Sequence, residues 1–292
     1  MHGLERRLRR IVALLIAAAT GSISSPSTCI EHNAESNTVC LSGTVCDVLT
    51  AEGIENCHIV VGEDSTRPDP SGSYEVRLPA SAYVFSVRSL DKEYYTYSTL
   101  LHLREDTHLD VPMIPRSVDV RFLKSFFPND VIIRWENLPI KVYYNRPDAP
   151  AGYIHMLEGA IGDWEFVSAM NLFEEVQTPE EADLDIEYVS HVKYAESTID
   201  LRVDAGCFTH MTISIETYYP WYIFGQKSYA YKAFAHELGH ALGLSHSTYP
   251  FQIMASPHVG KWEITAPLGT IIQVVYSLPV GTNLLCYPIN EK

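Results

Sequence analysis

Residues His236 to His246 read HELGHALGLSH. On a helix, His236 and His240 lie four apart and project from one face on successive turns. Two imidazoles so placed can chelate one divalent ion at about 2.0–2.1 Å each. Glu237 follows the first histidine, so its carboxylate can reach a water beside the ion without being a ligand. Gly243, three residues past His240, can take the backbone shape that ends a helix and turns the chain. That turn lets His246 return as a third ligand. Three protein ligands leave a fourth position open, the arrangement of a catalytic ion rather than a structural one. The spacing therefore predicts one catalytic Zn2+ held by His236, His240 and His246, with Glu237 as catalytic base.

Elements must exist to hold these groups. A helix from Tyr229 to about Leu242, capped by Ser228, would carry the first two histidines, and Ala230, Ala233, Phe234, Ala241 and Leu242 give it apolar surface. Upstream, Leu138–Asn145 reads as a strand. Gly152 to Asn171 reads as an amphipathic helix with Ile154, Leu157, Ile161, Trp164 and Val167 at spacings of three and four. Ala182–Val189 alternates as a second strand and Phe208–Glu216 as a third. Strands intermixed with helices mark this half as α/β. The same reading lays an extended substrate along the strand ending near Ile213–Glu216, as one more strand on the sheet edge.

The extended motif resembles the metzincin metallopeptidases. Their second hallmark is a methionine in a tight turn beneath the metal, and Met254 stands eight residues after His246, within HSTYPFQIMASP. The short spacing and Ser247 directly after the third histidine look most like the matrixin branch. The likeness runs from Leu138 to the C-terminus and takes in Trp164, the strand Ala182-Asp183-Leu184-Asp185-Ile186 and a closing helix around Pro267–Tyr276. It implies a peptidase whose substrate is protein or peptide. The chain lacks the Pro-Arg-Cys-Gly segment of matrixin zymogens and has no tyrosine two positions after Met254. His191 and His210 flank a region without the dense Asp/His pattern of structural zinc and calcium sites, so a surface or core role is expected of them, and calcium has no support. Glu263, 23 residues after His240, is a rival ligand at gluzincin spacing, but His246 fits better. Tyr249 either helps hold an oxyanion or packs.

From about Leu41 to Pro115 short β-branched and aromatic runs recur between turn signals: Cys57–Gly62, Ser73–Leu78, Ala82–Val87, Tyr94–His102 and His108–Ile114. This stretch resembles the carboxypeptidase regulatory-like (transthyretin-like) β-sandwich. The matching residues are Ser42-Gly43-Thr44-Val45, Asp69-Pro70-Ser71-Gly72-Ser73-Tyr74 and Leu78-Pro79-Ala80-Ser81-Ala82-Tyr83. The fold class predicted for the 292 residues is two domains: an N-terminal all-β sandwich and a C-terminal α/β metzincin-like catalytic domain, a twisted mixed sheet plus the active-site helix. The expected boundaries are a signal peptide at 1–25, an N-terminal segment at 26–40, the sandwich at 41–115, a linker at 116–137 and the peptidase domain at 138–292.

The signal reading rests on the basic stretch Glu5–Arg10, the apolar run Ile11–Ala19 and the small residues Thr20–Ser25. It predicts a secreted or periplasmic protein with no stable membrane association after cleavage. Six cysteines suit an oxidising compartment. Pairing among Cys29, Cys40, Cys46 and Cys57 is open. Cys207 and Cys286 are expected to bridge one another within the second domain, a free buried thiol being the alternative. With 46% hydrophobic and 20% charged residues the composition is that of a globular chain, and a formal net charge of −15 gives no electrostatic reason to bind nucleic acid. Two functions are weighed: a secreted zinc metalloendopeptidase, and a catalytically inactive binding or adhesion protein on the same fold. Oligomeric state is left open.

Overall fold

The structure is a computed structural model that describes residues 38–190, 196–198, 206–217, 229–255 and 263–289, with secondary structure alone for 196–198. The signal segment, Cys29, His191 and Ser228 lie outside the described residues. The chain divides into two units, Val118–Leu284 and a second made of the residues up to Ser117 together with those from Leu285 onward.

The second unit is a sandwich of two four-stranded sheets. Its strands are β1 (Thr38–Asp47), β2 (Cys57–Val61), β3 (Asp64–Thr66), β4 (Ser73–Pro79), β5 (Ser81–Ser89), β6 (Tyr97–Leu103), β7 (Thr107–His108) and β8 (Val111–Met113). One sheet runs β4-β1-β7 with β8 also on β1, and the other β3-β2-β5-β6. Alternation decides the faces: Val39, Leu41 and Val45 of β1 and Ile59 and Val61 of β2 point into a core shared with Phe85, Val87 and Leu103. Gly43 is required in β1, because a Cβ there would lie 2.0 Å from the Leu109 carbonyl oxygen. Tyr287, from the returning C-terminal residues, is fully buried in this unit and donates its hydroxyl to the Pro112 carbonyl at 2.5 Å.

The first unit holds α1 (Val120–Ser125), β9 (Ile140–Tyr143), α2 (Tyr153–Ser168), β10 (Phe173–Val176), β11 (Leu184–Val189), β12 (Glu196–Thr198), β13 (Met211–Glu216), α3 (Tyr229–Ala241) and α4 (Ala266–Ser277). Its sheet is ordered β10-β9-β11-β13-β12. The first four strands are parallel and β12 closes the edge antiparallel to β13. Leu184 and Ile186 of β11 and Met211, Ile213 and Ile215 of β13 are buried, as is the Leu157, Ala160, Ile161 and Trp164 stripe of α2. α4 approaches α2 closely at Gly269, where a Cβ would meet the Val167 carbonyl oxygen at 2.0 Å. No helix among the described residues is long and apolar enough to cross a membrane.

Three expectations need correction. Residues 116–137 are not a linker. Asp119 caps α1 through Arg121 N and Phe122 N, and Phe126, Phe127, Ile132, Ile133 and Trp135 are all buried. A six-residue helix is too short to show a period, and the turn that follows it at Phe126–Asp130, closed by Asp130 N to Phe127 O at 2.8 Å, has the composition of a connector although its two phenylalanines are buried. Second, Cys207 and Cys286 are both free, as are Cys40, Cys46 and Cys57. The pair falls in different units, because the chain leaves the first unit after Leu284. Third, β13 is not the sheet edge; β12 covers it through the pairs Glu196↔Ser214, Ser197↔Ile213 and Thr198↔Thr212.

Candidate metal centre

α3 carries His236 and His240, and its C-terminal end determines where His246 goes. Gly243 N donates to His240 O at 2.9 Å and Leu244 N to Gly239 O at 3.0 Å, the paired bonds of a Schellman turn. Gly243 has φ +95°, and a Cβ at this position would lie 2.6 Å from the Ile133 carbonyl oxygen, so only glycine fits. Trp135 fixes the same end by donating its indole N–H to Ala241 O at 2.7 Å. Beyond the turn the chain comes back with His246.

The ligand atoms of His236, His240 and His246 all lie within 4.8 Å of one another. The ring centroids form a near-equilateral triangle with sides of 4.7, 4.8 and 5.1 Å. Partners settle two of the tautomers. His236 Nδ1 lies 2.8 Å from Ile253 O and His240 Nδ1 lies 2.7 Å from Leu244 O. A carbonyl oxygen only accepts, so both Nδ1 atoms carry the hydrogen and both Nε2 atoms of the neutral rings present a lone pair. His236 Nε2 stands 3.0 Å from His246 Nε2. Two ligands of one tetrahedral zinc are separated by roughly 3.3 Å at the usual Zn–N length. The donor set is thus the one a zinc ion needs, and the residues present fit the metal. His236, Glu237 and His240 are buried at 5, 5 and 6% exposure, with His246 half-buried.

Beneath the triad, Met254 is fully buried and its sulfur packs where α3 has no side chain: a Cβ on Gly239 would lie 2.3 Å from Met254 Sδ. The turn is held from both sides. Ser247 N donates to Met254 O at 2.8 Å, and the buried Gln252 accepts from Met254 N at 2.6 Å while donating to Tyr249 O at 3.2 Å. The carbonyl that orients His236 belongs to Ile253 of this same turn. Ser247 also shares a hydrogen bond with Ser125 of α1, and Trp164 donates to Ala235 O, the residue before the first ligand, at 2.9 Å.

Several other sequence candidates have clear positions. Glu263 is exposed, and its backbone carbonyl accepts from Ile253 N of the turn. The Tyr249 ring stacks edgewise on Phe122 at 5.1 Å, a packing role. His210 pairs with Asp185 at 3.2 Å, away from the triad. Gly239, Gln252, Trp135 and Ser125 were not singled out from sequence. The missing Cβ in HELGH was a usable signal for Gly239; the others depend on long-range contacts.

No curated protein matches the chain. Two solved structures are similar over a short stretch. One is a DUF3823 family protein from Parabacteroides merdae, at 14% identity and a TM-score of 0.24, covering 28% of this chain and 48% of that one. The other is a DUF3823 family protein from Bacteroides ovatus, at 17% identity and a TM-score of 0.22, covering 27% and 44%. The chain thus spans less than half the length of either. Residues 135–265 match the Matrixin family, Peptidase_M10, and with the three histidines inside that span they form a metallopeptidase-like domain of the metzincin kind.

Proposed function

We propose that the protein is an exported zinc metalloendopeptidase that cleaves extracellular proteins, with His236, His240 and His246 holding the ion and Glu237 as the base. One observation carries the reading: two Nδ1–H groups are committed to backbone carbonyls, which leaves the Nε2 atoms of His236 and His240 to ligate, within 4.8 Å of the ligand atom of His246. A zinc ion bound there supplies Lewis acidity to a water molecule and to the scissile carbonyl.

The chain's own groups do the rest. Glu237 follows the first ligand directly and is buried, and its carboxylate accepts the proton of the attacking water and hands it to the departing amine. The Ile253 and Leu244 carbonyls keep two imidazoles oriented, which fixes the position of the reacting groups before substrate arrives. Met254 supports the helix from below, its sulfur packed against Gly239. The basic-then-apolar N-terminus supports export, as part of the same reading.

The test is Glu237→Ala. Zinc content by elemental analysis and the far-ultraviolet circular dichroism spectrum should match the parent, while cleavage of casein or a peptide library falls by two or more orders of magnitude. Undiminished cleavage removes Glu237 from its role. Cleavage by the parent that survives a chelator removes the metal from it too.

A further inference from the structure

Edge strands are open templates for pairing, and sheets normally protect them with charge, proline or shortness. Among the described strands at sheet edges, β3 carries Asp64, β4 Glu75 and Arg77, β8 Pro112, β10 Glu174 and Glu175, and β12 Glu196, while β7 is only two residues long. β6 is the exception. Its seven residues, YSTLLHL, contain no Asp, Glu, Lys, Arg or Pro, and it pairs only with β5 among the described residues.

The pattern of bonds shows which groups the edge offers. Gly62 N donates to Val84 O at 3.0 Å, so the backbone groups of Val84 in β5 point toward β2. Leu100 lies opposite Val84, so the two form a non-hydrogen-bonded pair and the N–H and C=O of Leu100 face the open edge. The same holds two residues away on either side, at Ser98 and His102. On the outer face of the sheet the side chains of Val84 and Leu100 sit together at 62% and 60% exposure.

We infer that β6 pairs antiparallel with β6 of a second copy of this chain, about a two-fold axis beside Leu100. Leu100 is the middle residue of the strand, so a rotation about it places Leu100 on Leu100 of the partner, Ser98 on His102 and Tyr97 on Leu103. The three outward-facing residues Ser98, Leu100 and His102 then each exchange both backbone bonds with the partner strand, and the two sheets become one of eight strands. No charge meets a like charge in this register. The complement that β6 requires is an uncharged strand with the same alternation, and β6 itself is the described edge strand that has it. The apolar pair Val84–Leu100 of each copy becomes one continuous strip across the joint. Outside the joint the two copies repel, since each carries a formal charge of −15. Added salt screens that repulsion and should tighten the dimer, the opposite of an interface held by ion pairs.

Sedimentation equilibrium of the full chain at micromolar to hundred-micromolar concentration tests this. The expected result is a monomer–dimer equilibrium that shifts toward dimer as sodium chloride is raised from 50 to 500 mM, and a weakening of at least tenfold in Leu100→Lys. Because Leu100 is exposed, its replacement should leave the circular dichroism spectrum unchanged. As a second readout, Leu100→Cys should give a disulfide-linked dimer on mild oxidation that the parent does not give, since paired Cα atoms about 5.5 Å apart are within disulfide reach. A parent that stays monomeric throughout, a dimer indifferent to Leu100→Lys, or equal cross-linking of the parent and Leu100→Cys each overturns the assignment.

Discussion

Gly239 sits between the two helical ligands and has a job neither histidine can do. A Cβ added there would stand 2.3 Å from Met254 Sδ and 3.1 Å from Trp164 Cζ2, so the methionine must move or the helix must lift. Overpacking of this sort costs about 1–3 kcal/mol. Gly239→Ala is therefore expected to lower the melting temperature and to weaken zinc binding, because the displaced Met254 turn carries the Ile253 carbonyl that orients His236. Gly162 in α2 is the opposite case: its Cβ would meet nothing within 4 Å. Gly162→Ala removes only backbone freedom and should stabilise by about 0.5–1 kcal/mol with zinc affinity unchanged. Chemical denaturation and zinc titration of the pair check both signs, and a harmless Gly239→Ala would mean the close packing under α3 is not what holds the turn.

At the scale of elements, the sheet beside the site contains a carboxyl in the wrong surroundings. Asp185 of β11 has one oxygen paired with His210 at 3.2 Å and the other buried with no hydrogen-bond partner among the described residues. Burial raises its pKa, Glu187 and Glu180 add to the rise, and His210 opposes it. A carboxyl whose folded pKa lies above its unfolded value weakens the fold while ionised, and the penalty fades as pH falls through the folded pKa. Asp185→Asn should therefore raise the melting temperature at neutral pH, with the gain shrinking toward acid; a lower melting temperature at pH 7 would show that the His210 pair outweighs burial. Sequence patterning located α2, β11, β13 and α3 because each runs long enough for one face to become apolar, and the family resemblance alone supplied α4. It missed β10 and α1, which are four and six residues long. The edge position of β12 was also illegible, since strand order depends on contacts that no local pattern encodes. The triad was legible for a local reason: His236, His240, Gly243 and His246 span one helix end, so spacing alone carries their geometry. Gln252 and Trp135 act across the fold and leave no such trace.

At the scale of the whole chain, the residues of the sandwich unit are not consecutive in sequence. The chain leaves the sandwich at Ser117, forms the unit that holds the triad, and rejoins the sandwich unit at Leu285. Tyr287 makes that return structural: its ring lies edgewise on Tyr97 at 5.4 Å, its side chain is wholly buried, and its hydroxyl bonds Pro112. A sandwich cut at residue 117 therefore lacks one of its own core residues. Phe/Tyr-sized deletions in a core cost about 3–5 kcal/mol. Tyr287→Ala should destabilise the sandwich by that amount, read as a lower melting transition in differential scanning calorimetry, while zinc affinity at the triad holds, because its partners Tyr97 and Pro112 both belong to the sandwich unit. Tyr287→Phe keeps the ring and loses only the bond to Pro112, so its cost should be near 1 kcal/mol. The graded pair separates a core plug from a passive tail: a tail would give no shift in either variant, and a plug gives a large shift in one and a small shift in the other.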